Sequence, residues 1–248
     1  ATEGKVPFKK KYPNLRGIAQ FWQSCYHQYA GKNMMEAGIR SWKDIVGSKK
    51  PLKLGPAKKG TSTEYISRLL VEFYGSSYKG LQKRGFKLSF AGVNGMSRQI
   101  RSSQIDFYFH NSGDPNGAGI QAALGRNLRF LVREDDAKKM LVTAGFSPCT
   151  IPGGIYRGID QATPSVGANG VLLTTDKMDP SVVYNVLKII VENKKFLGGV
   201  HKVYKKWNPK TAGKWFLDFS LRAPGGRMAD PKYLPPVGIG DELCYNGH

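Results

Sequence analysis

Leu52-Lys53-Leu54 runs through Gly55-Pro56-Ala57-Lys58-Lys59-Gly60 into Thr61-Ser62-Thr63-Glu64-Tyr65-Ile66-Ser67-Arg68-Leu69-Leu70-Val71-Glu72-Phe73. The first three residues read as a short strand, and the glycine-bounded loop after them stops it. Thr61 and Glu64 stand at capping-box spacing, and Tyr65, Ile66, Leu69, Leu70 and Phe73 recur at helical intervals, so a helix starts at once. Gly75 closes it. A strand feeding a capped helix through a short loop is the repeating part of an α/β fold.

The same alternation extends in both directions. Upstream, Leu15 to Trp22 has the apolar and aromatic content of a strand, and Ser41 to Ile45 reads as a short helical turn. Downstream come a strand over 86–90, a helix over 94–101, a strand over 105–109, a short helix over 120–124 and a strand over 128–132. A helix over 134–144 ends at Gly145, and Pro152-Gly153-Gly154 with Gly158 opens a loop-rich passage. Val166 to Thr174 is strand-like. Asp179 then caps a helix with Pro180 in its first turn, carrying Val182, Val183, Val186, Leu187 and Ile190, and a second helix runs through Tyr204. The pattern predicts an α/β protein with a parallel or mixed sheet. Residues 1–13 read as an irregular lead-in, and from Asn208 onward Pro and Gly predict an irregular tail.

With 248 residues and 40% hydrophobic content, the chain is long enough for one large domain or two small lobes. No apolar run approaches the roughly 20 residues that span a bilayer. Formal net charge is +20, which attracts anions, acidic surfaces or nucleic acid. The cations are spread from Lys9-Lys10-Lys11 through Lys58-Lys59 to Lys205-Lys206, a generally basic surface rather than a nucleic-acid arm, and no nucleic-acid partner is expected. Cys25, Cys149 and Cys244 make no CxxC; they read as buried small hydrophobes, with one disulfide open in an oxidising compartment. His27, His110, His201 and His248 show no ligand spacing, so neither a metal nor another cofactor is expected.

Three places could hold a ligand. At Gly55 to Glu64, free N–H groups and the positive end of a helix dipole meet the hydroxyls of Thr61, Ser62 and Thr63, with Lys58 and Lys59 beside them, a setting for a carboxylate or phosphate. Plain helix capping explains the same residues. The second is Asn111-Ser112-Gly113-Asp114-Pro115-Asn116-Gly117, just past the carboxyl end of a strand, where open α/β sheets bind ligands; turn chemistry alone also accounts for it. In the third, Ile151 to Gly158, Tyr156 and Arg157 sit among glycines, with Tyr156 either lining a pocket or packing a lobe. Phe107-Tyr108-Phe109 suits a buried strand better than a base-stacking platform. No GxSxG elbow and no Cys-His motif occurs, and no catalytic residue is expected.

Six passages in order resemble the TAXI family of TRAP-transporter solute receptors. They are Asn14-Leu15-Arg16, Asp44-Ile45-Val46-Gly47, Gly55 to Thr61, Ile105-Asp106 with Gly113-Asp114-Pro115, Ile151 to Gly158, and Asp179 to Asn193; the resemblance covers roughly residues 5 to 205. The resemblance implies a periplasmic-binding-protein-like fold of two α/β lobes joined by crossing strands. Residues 1–27 with 165–248 would form a first, incomplete lobe and 28–164 the second. It implies a periplasmic protein that is not an enzyme and that delivers a small anionic solute, such as glutamate or another carboxylate, to a TRAP membrane permease. On this resemblance Lys59, Thr61, Ser62, Thr63 and Gly113 bind the solute, and Asn116 and Tyr156 close over it.

The chain departs from that family in three ways. The strand-helix-strand segment with a Gly/Thr-rich loop that opens family members is absent from the given sequence; three alternatives stay open, a separate chain that carries it and is then a further partner, its removal, or its loss with a changed function. Lys58-Lys59 stands where the family has Gly-Ser. Ala223-Pro224-Gly225-Gly226 is a poor match to a motif near the carboxyl end. The alternative function is a scaffold-retaining structural or interaction protein that binds a protein partner or polyanion through its basic surface.

Overall fold

The computed structural model describes Phe8, residues 10–209 and Ala212. Most of the lead-in, nearly all of the expected irregular tail, Ala223 to Gly226 and Cys244 lie outside these residues. The strands are β1 (Leu15–Gly31), β2 (Lys53–Gly55), β3 (Lys87–Leu88), β4 (Phe107–Ser112), β5 (Leu128–Phe130), β6 (Ser147–Ile151) and β7 (Thr163–Thr175). The helices are α1 (Lys32–Glu36), α2 (Trp42–Gly47), α3 (Ser62–Phe73), α4 (Tyr78–Lys83), α5 (Val93–Arg101), α6 (Gly117–Gly125), α7 (Asp135–Thr143), α8 (Pro180–Glu192) and α9 (Lys194–Val200), with a 3-10 turn at Lys202–Lys206. Strand order is β3-β2-β4-β1-β7-β6, with β5 paired to β1. Strands β2, β3 and β4 run parallel, whereas β1 is antiparallel to β4 and β5, and β6 to β7. The sheet is therefore mixed.

The chain divides into two compact units, Ala1–Trp22 with Asn169–His248, and Gln23–Ala168. The boundaries fall inside β1 and β7.

In the unit Gln23–Ala168, neighbouring strand residues join different cores. Tyr26, Ala30, Phe107 and Phe109 pack with α2, α3 and α7 through Trp42, Ile45, Ile66, Leu70, Ala137 and Leu141. Cys25, Tyr29 and Tyr108 pack instead with Met96 and Ile100 of α5 and Ala122 and Ala123 of α6. Because successive side chains of a strand point to opposite faces, the helices cover both sides of the sheet. Phe107, Tyr108 and Phe109 are all fully buried, as the sequence predicts, and each contributes roughly 1.5–3 kcal/mol by leaving water.

Helix α3 forms as its sequence dictates. Thr61 Oγ1 accepts from Glu64 N at 3.2 Å. At the other end Gly75 takes φ 78°, and Ser76 N bonds back to Val71 O, which closes the helix in a left-handed cap.

Two expectations are corrected and one strand is added. Strand β1 spans 17 residues rather than ending at Trp22. Ser24 to Gly31 shows no polar–apolar alternation because both its faces are buried, which erases the period that marks a strand. Strand β6 falls where the sequence suggests no element, between the helix end at Gly145 and the glycine-rich passage from Pro152; Ser147-Pro148-Cys149-Thr150-Ile151 gains strand form by pairing with Thr163 to Gly167. Finally, Cys25 and Cys149 are joined in a disulfide rather than being simple hydrophobes, with Cα atoms 6.1 Å apart. Gly167 permits that approach, since a Cβ there would come within 2.2 Å of Ser24 O and 3.2 Å of Cys149 Sγ.

In the other unit, Ala19, Trp207 and Ala212 pack with Ile18, Phe21, Leu187, Ile190 and Val191. Asp179 caps α8 by accepting from Ser181 N at 2.8 Å. Helix α8 buries none of its residues, and Val182, Val186 and Ile189 are exposed at helical spacing, alongside exposed Val171 and Leu173 of β7.

Candidate functional site

Three helix starts gather at one edge of the sheet in the unit Gln23–Ala168. Each of the parallel strands β2, β3 and β4 leads from its carboxyl end into a helix: β2 into α3, β3 into α5, and β4 into α6. The first N–H groups of each helix point out of that edge with the positive end of its dipole. Lys59 Nζ lies 4.6 Å from the centre of the Phe90 ring, joining the β2–α3 loop to the β3–α5 loop.

In the β2–α3 loop, Ala57 is held at φ 79° and Gly60 at φ 80°. The left-handed conformation is costly for alanine, a strain of the kind found near binding loops. Lys58, Lys59, Thr61 and Ser62 are exposed, whereas Thr63 and Glu64 are buried. Thr61 Oγ1 donates to Lys58 O at 2.7 Å besides accepting from Glu64 N. Glu64 places a carboxylate of the chain's own at this helix start, 3.5 Å from Gly60 N and paired with Arg68. The hydroxyl of Ser62 approaches that of Tyr26, but no hydrogen bond of acceptable geometry closes between them.

The β4–α6 loop is fixed by a different cluster, on the face of the sheet that α5 and α6 cover. Asn116 caps α6 through Gly119 N, and its Nδ2 donates to the hydroxyls of Tyr29 and Tyr156, each at 3.0 Å. Its backbone N–H donates to the Tyr156 hydroxyl as well, also at 3.0 Å. His27 Nδ1 lies 3.0 Å from Cys25 O, which can only accept, so that nitrogen carries a proton. His27 Nε2 meets the Tyr156 hydroxyl at 3.1 Å and Asp114 Oδ1 at 2.8 Å, the latter an ion pair when the ring is protonated. The rings of His27, Tyr29, Phe130 and Tyr156 pack against one another with centroids 5.1 to 5.9 Å apart. Burial raises the hydroxyl pKa of Tyr29 and Tyr156, which keeps both protonated. Burial, and then the nearby His27, pull His110 down to about 3, so its ring stays neutral.

The structure thus divides the residues singled out from sequence. Lys59, Thr61 and Ser62 form an exposed, basic, hydroxyl-rich lip, with Thr63 buried behind it. Gly113 lies in the neighbouring loop. Asn116 and Tyr156, 8% and 2% exposed, are bonded to each other. Sequence reasoning marked Asp114 only as part of the 111–117 loop and overlooked His27 and Tyr29, which hold that loop in place with it; the run Tyr26-His27-Gln28-Tyr29, polar and aromatic in a buried strand, was the available signal. Among the described residues no group of His, Cys, Asp and Glu is arranged to hold a metal ion, and no helix is long and apolar enough to cross a membrane.

A family model described as the NMT1-like family matches residues 1–217. No curated protein matches the chain in sequence. Among solved structures, similarity extends to substrate-binding domain 2 of GlnP from Lactococcus lactis in an open conformation, at 13% identity over 79% of this chain and 62% of that chain, with a TM-score of 0.36. Another is the amino acid ABC transporter substrate-binding protein AbpA from Streptococcus pneumoniae bound to L-arginine, at 14% identity over 78% of this chain and 60% of that chain, TM-score 0.40. A third is the GluR0 ligand-binding core in complex with L-glutamate, at 8% identity over 82% and 68% of the two chains, TM-score 0.38. The chain spans about three fifths of the length of the first two.

Proposed function

Because the chain belongs to the NMT1-like family, we propose that it is an extracytoplasmic solute-binding protein. It captures a small anionic solute, a carboxylate or an amino acid such as glutamate, for a TRAP-type permease and performs no reaction on it. The observation that carries this reading is the gathering of the α3, α5 and α6 starts at the carboxyl ends of three parallel strands. Unpaired N–H groups and dipole ends of one sign favour an anion there, and Lys58 and Lys59 in a chain of net charge +20 strengthen the preference. Lys59, Thr61, Ser62, Thr63 and Gly113 face the solute in this reading, while Asn116 and Tyr156 hold the β4–α6 loop. The Cys25–Cys149 disulfide supports an oxidising compartment such as the periplasm. The two-lobe division at 1–27 with 165–248 and 28–164 belongs to the same proposal.

Calorimetric titration of the full chain with amino acids and small dicarboxylates tests it. Saturable binding of one member of the panel is expected; a folded chain that binds none of them would sink the reading.

The exposed stripe of Val182, Val186 and Ile189 with Val171 and Leu173 supports one further element, a protein partner on α8 and β7. A strand-helix-strand segment, on a separate chain or in a larger parent, would cover it. Intact mass and chain composition of the native material test this: a second chain or a larger parent carrying such a segment is expected, and a lone, monodisperse chain of 27.4 kDa would contradict it.

A further inference from the structure

We propose that Arg133, Tyr26 and the first turn of α3 form a seat for a carboxylate group. Its starting point is a buried guanidinium with three of its five N–H donors idle. Arg133 is 3% exposed, and its Nη1 donates to Ser165 Oγ at 2.9 Å. Its Nε and Nη2 have no partner. These two atoms make up one edge of the guanidinium, two parallel N–H groups at the spacing of carboxylate oxygens. Among the described residues no ion pair involves Arg133; the adjacent Glu134 accepts the Tyr74 hydroxyl at 3.0 Å instead.

The surroundings are donors too. Tyr26 is fully buried with an unpartnered hydroxyl, and Trp42, 1% exposed, has an unpartnered Nε1–H. All three side chains surround the ring of Phe109: Arg133 at 6.0 Å from its centre, Tyr26 stacked at 5.5 Å and Trp42 edge-on at 6.0 Å. Gln28 Oε1 is an open acceptor in the same unit, but a neutral oxygen does not offset the guanidinium's charge. The Tyr26 hydroxyl lies near Ser62 in the first turn of the 12-residue helix α3 without bonding to it, and the N–H groups of that turn add to the same field. Burial draws Arg133 down to about 10 and pushes Tyr26 up to about 12. A buried cation whose Nε and Nη2 lack partners is costly even with Glu134 nearby, and an anion seated against that edge offsets the cost. The bidentate edge of Arg133 selects a planar carboxylate over a tetrahedral anion.

This seat deepens the solute-binding reading and takes its ligand class from it. The test uses the full chain as wild type, Arg133→Met and Tyr26→Phe, with glutamate binding followed by calorimetry and the thermal midpoint followed in sodium acetate against sodium chloride at equal ionic strength. Acetate is expected to raise the wild-type midpoint and to leave that of Arg133→Met unmoved. Glutamate should bind about 10- to 100-fold more weakly to Arg133→Met, the range of a hydrogen-bonded charge lost, and several-fold more weakly to Tyr26→Phe. If Arg133→Met does not fold, Tyr26→Phe alone decides. Glutamate binding that is unchanged in both variants overturns the seat and leaves solute capture standing. An acetate response that depends on Arg133, without binding of any solute, keeps the seat and overturns solute capture. A wild-type chain that answers to neither probe overturns both.

Discussion

The Tyr156 hydroxyl lies 3.0 Å from both the backbone nitrogen and Nδ2 of Asn116, so a residue from the β6–β7 connection fixes the start of α6, 40 positions earlier in the chain. Its third neighbour is His27 Nε2 at 3.1 Å. Replacing Tyr156 with Phe keeps the ring and strands these buried groups. A loss of about 1–3 kcal/mol is expected. Urea unfolding monitored by circular dichroism measures it, and an unchanged midpoint would show that the hydroxyl does not organise the loop.

Thr61 and Ser62 should part in their effects. Thr61→Ala removes the α3 cap and costs roughly 1 kcal/mol, whereas Ser62→Ala, at an exposed position, stays within about 0.5 kcal/mol. If both residues face the solute, both variants also weaken carboxylate binding. Comparing melting midpoints with and without ligand separates capping from binding.

His110 makes the fold sensitive to acid. Its folded pKa of about 3 lies below its ordinary value of 6.5. Between those values the unfolded chain binds a proton that the folded chain refuses, so stability falls as pH drops through that window. The contribution of this one group has a slope of at most about 1.4 kcal/mol per pH unit. Denaturant midpoints between pH 7 and pH 4 should decline less steeply in His110→Gln. Parallel curves for the two proteins would remove His110 from the account.

Cys25 and Cys149 close a loop of 124 residues. Chain entropy predicts that their disulfide stabilises the fold by roughly 2–5 kcal/mol. Dithiothreitol should therefore lower the melting temperature of the wild type and leave that of the double variant Cys25→Ala, Cys149→Ala unaffected. Equal responses in the two proteins would count against the pairing.

Several elements were legible because their signals are local. The Thr61 cap, the Gly75 stop, and Asp179 with Pro180 each act on hydrogen bonds within one turn of the chain, so α3 and α8 form where the residues say. A parallel or mixed sheet was also readable, from strands alternating with helices, but not that β2, β3 and β4 are the parallel strands. Asn116 could be marked as a residue in a loop after a strand, but its own hydrogen bonds could not be read, because two of its partners, Tyr29 and Tyr156, are 87 and 40 positions away.

Sequence alone determined the α/β class, the helix boundaries set by caps and glycines, and the basic, hydroxyl-rich character of the 58–63 loop. These follow from contacts within a few residues and from composition. The tertiary structure decided what depends on groups distant in the chain: the second half of β1, β6, the Cys25–Cys149 pairing, the His27–Tyr156–Asn116 cluster and the idle edge of Arg133. Burial on both faces removes the periodicity by which a strand is recognised, and whether a buried donor finds an acceptor is settled only when the strands are packed side by side.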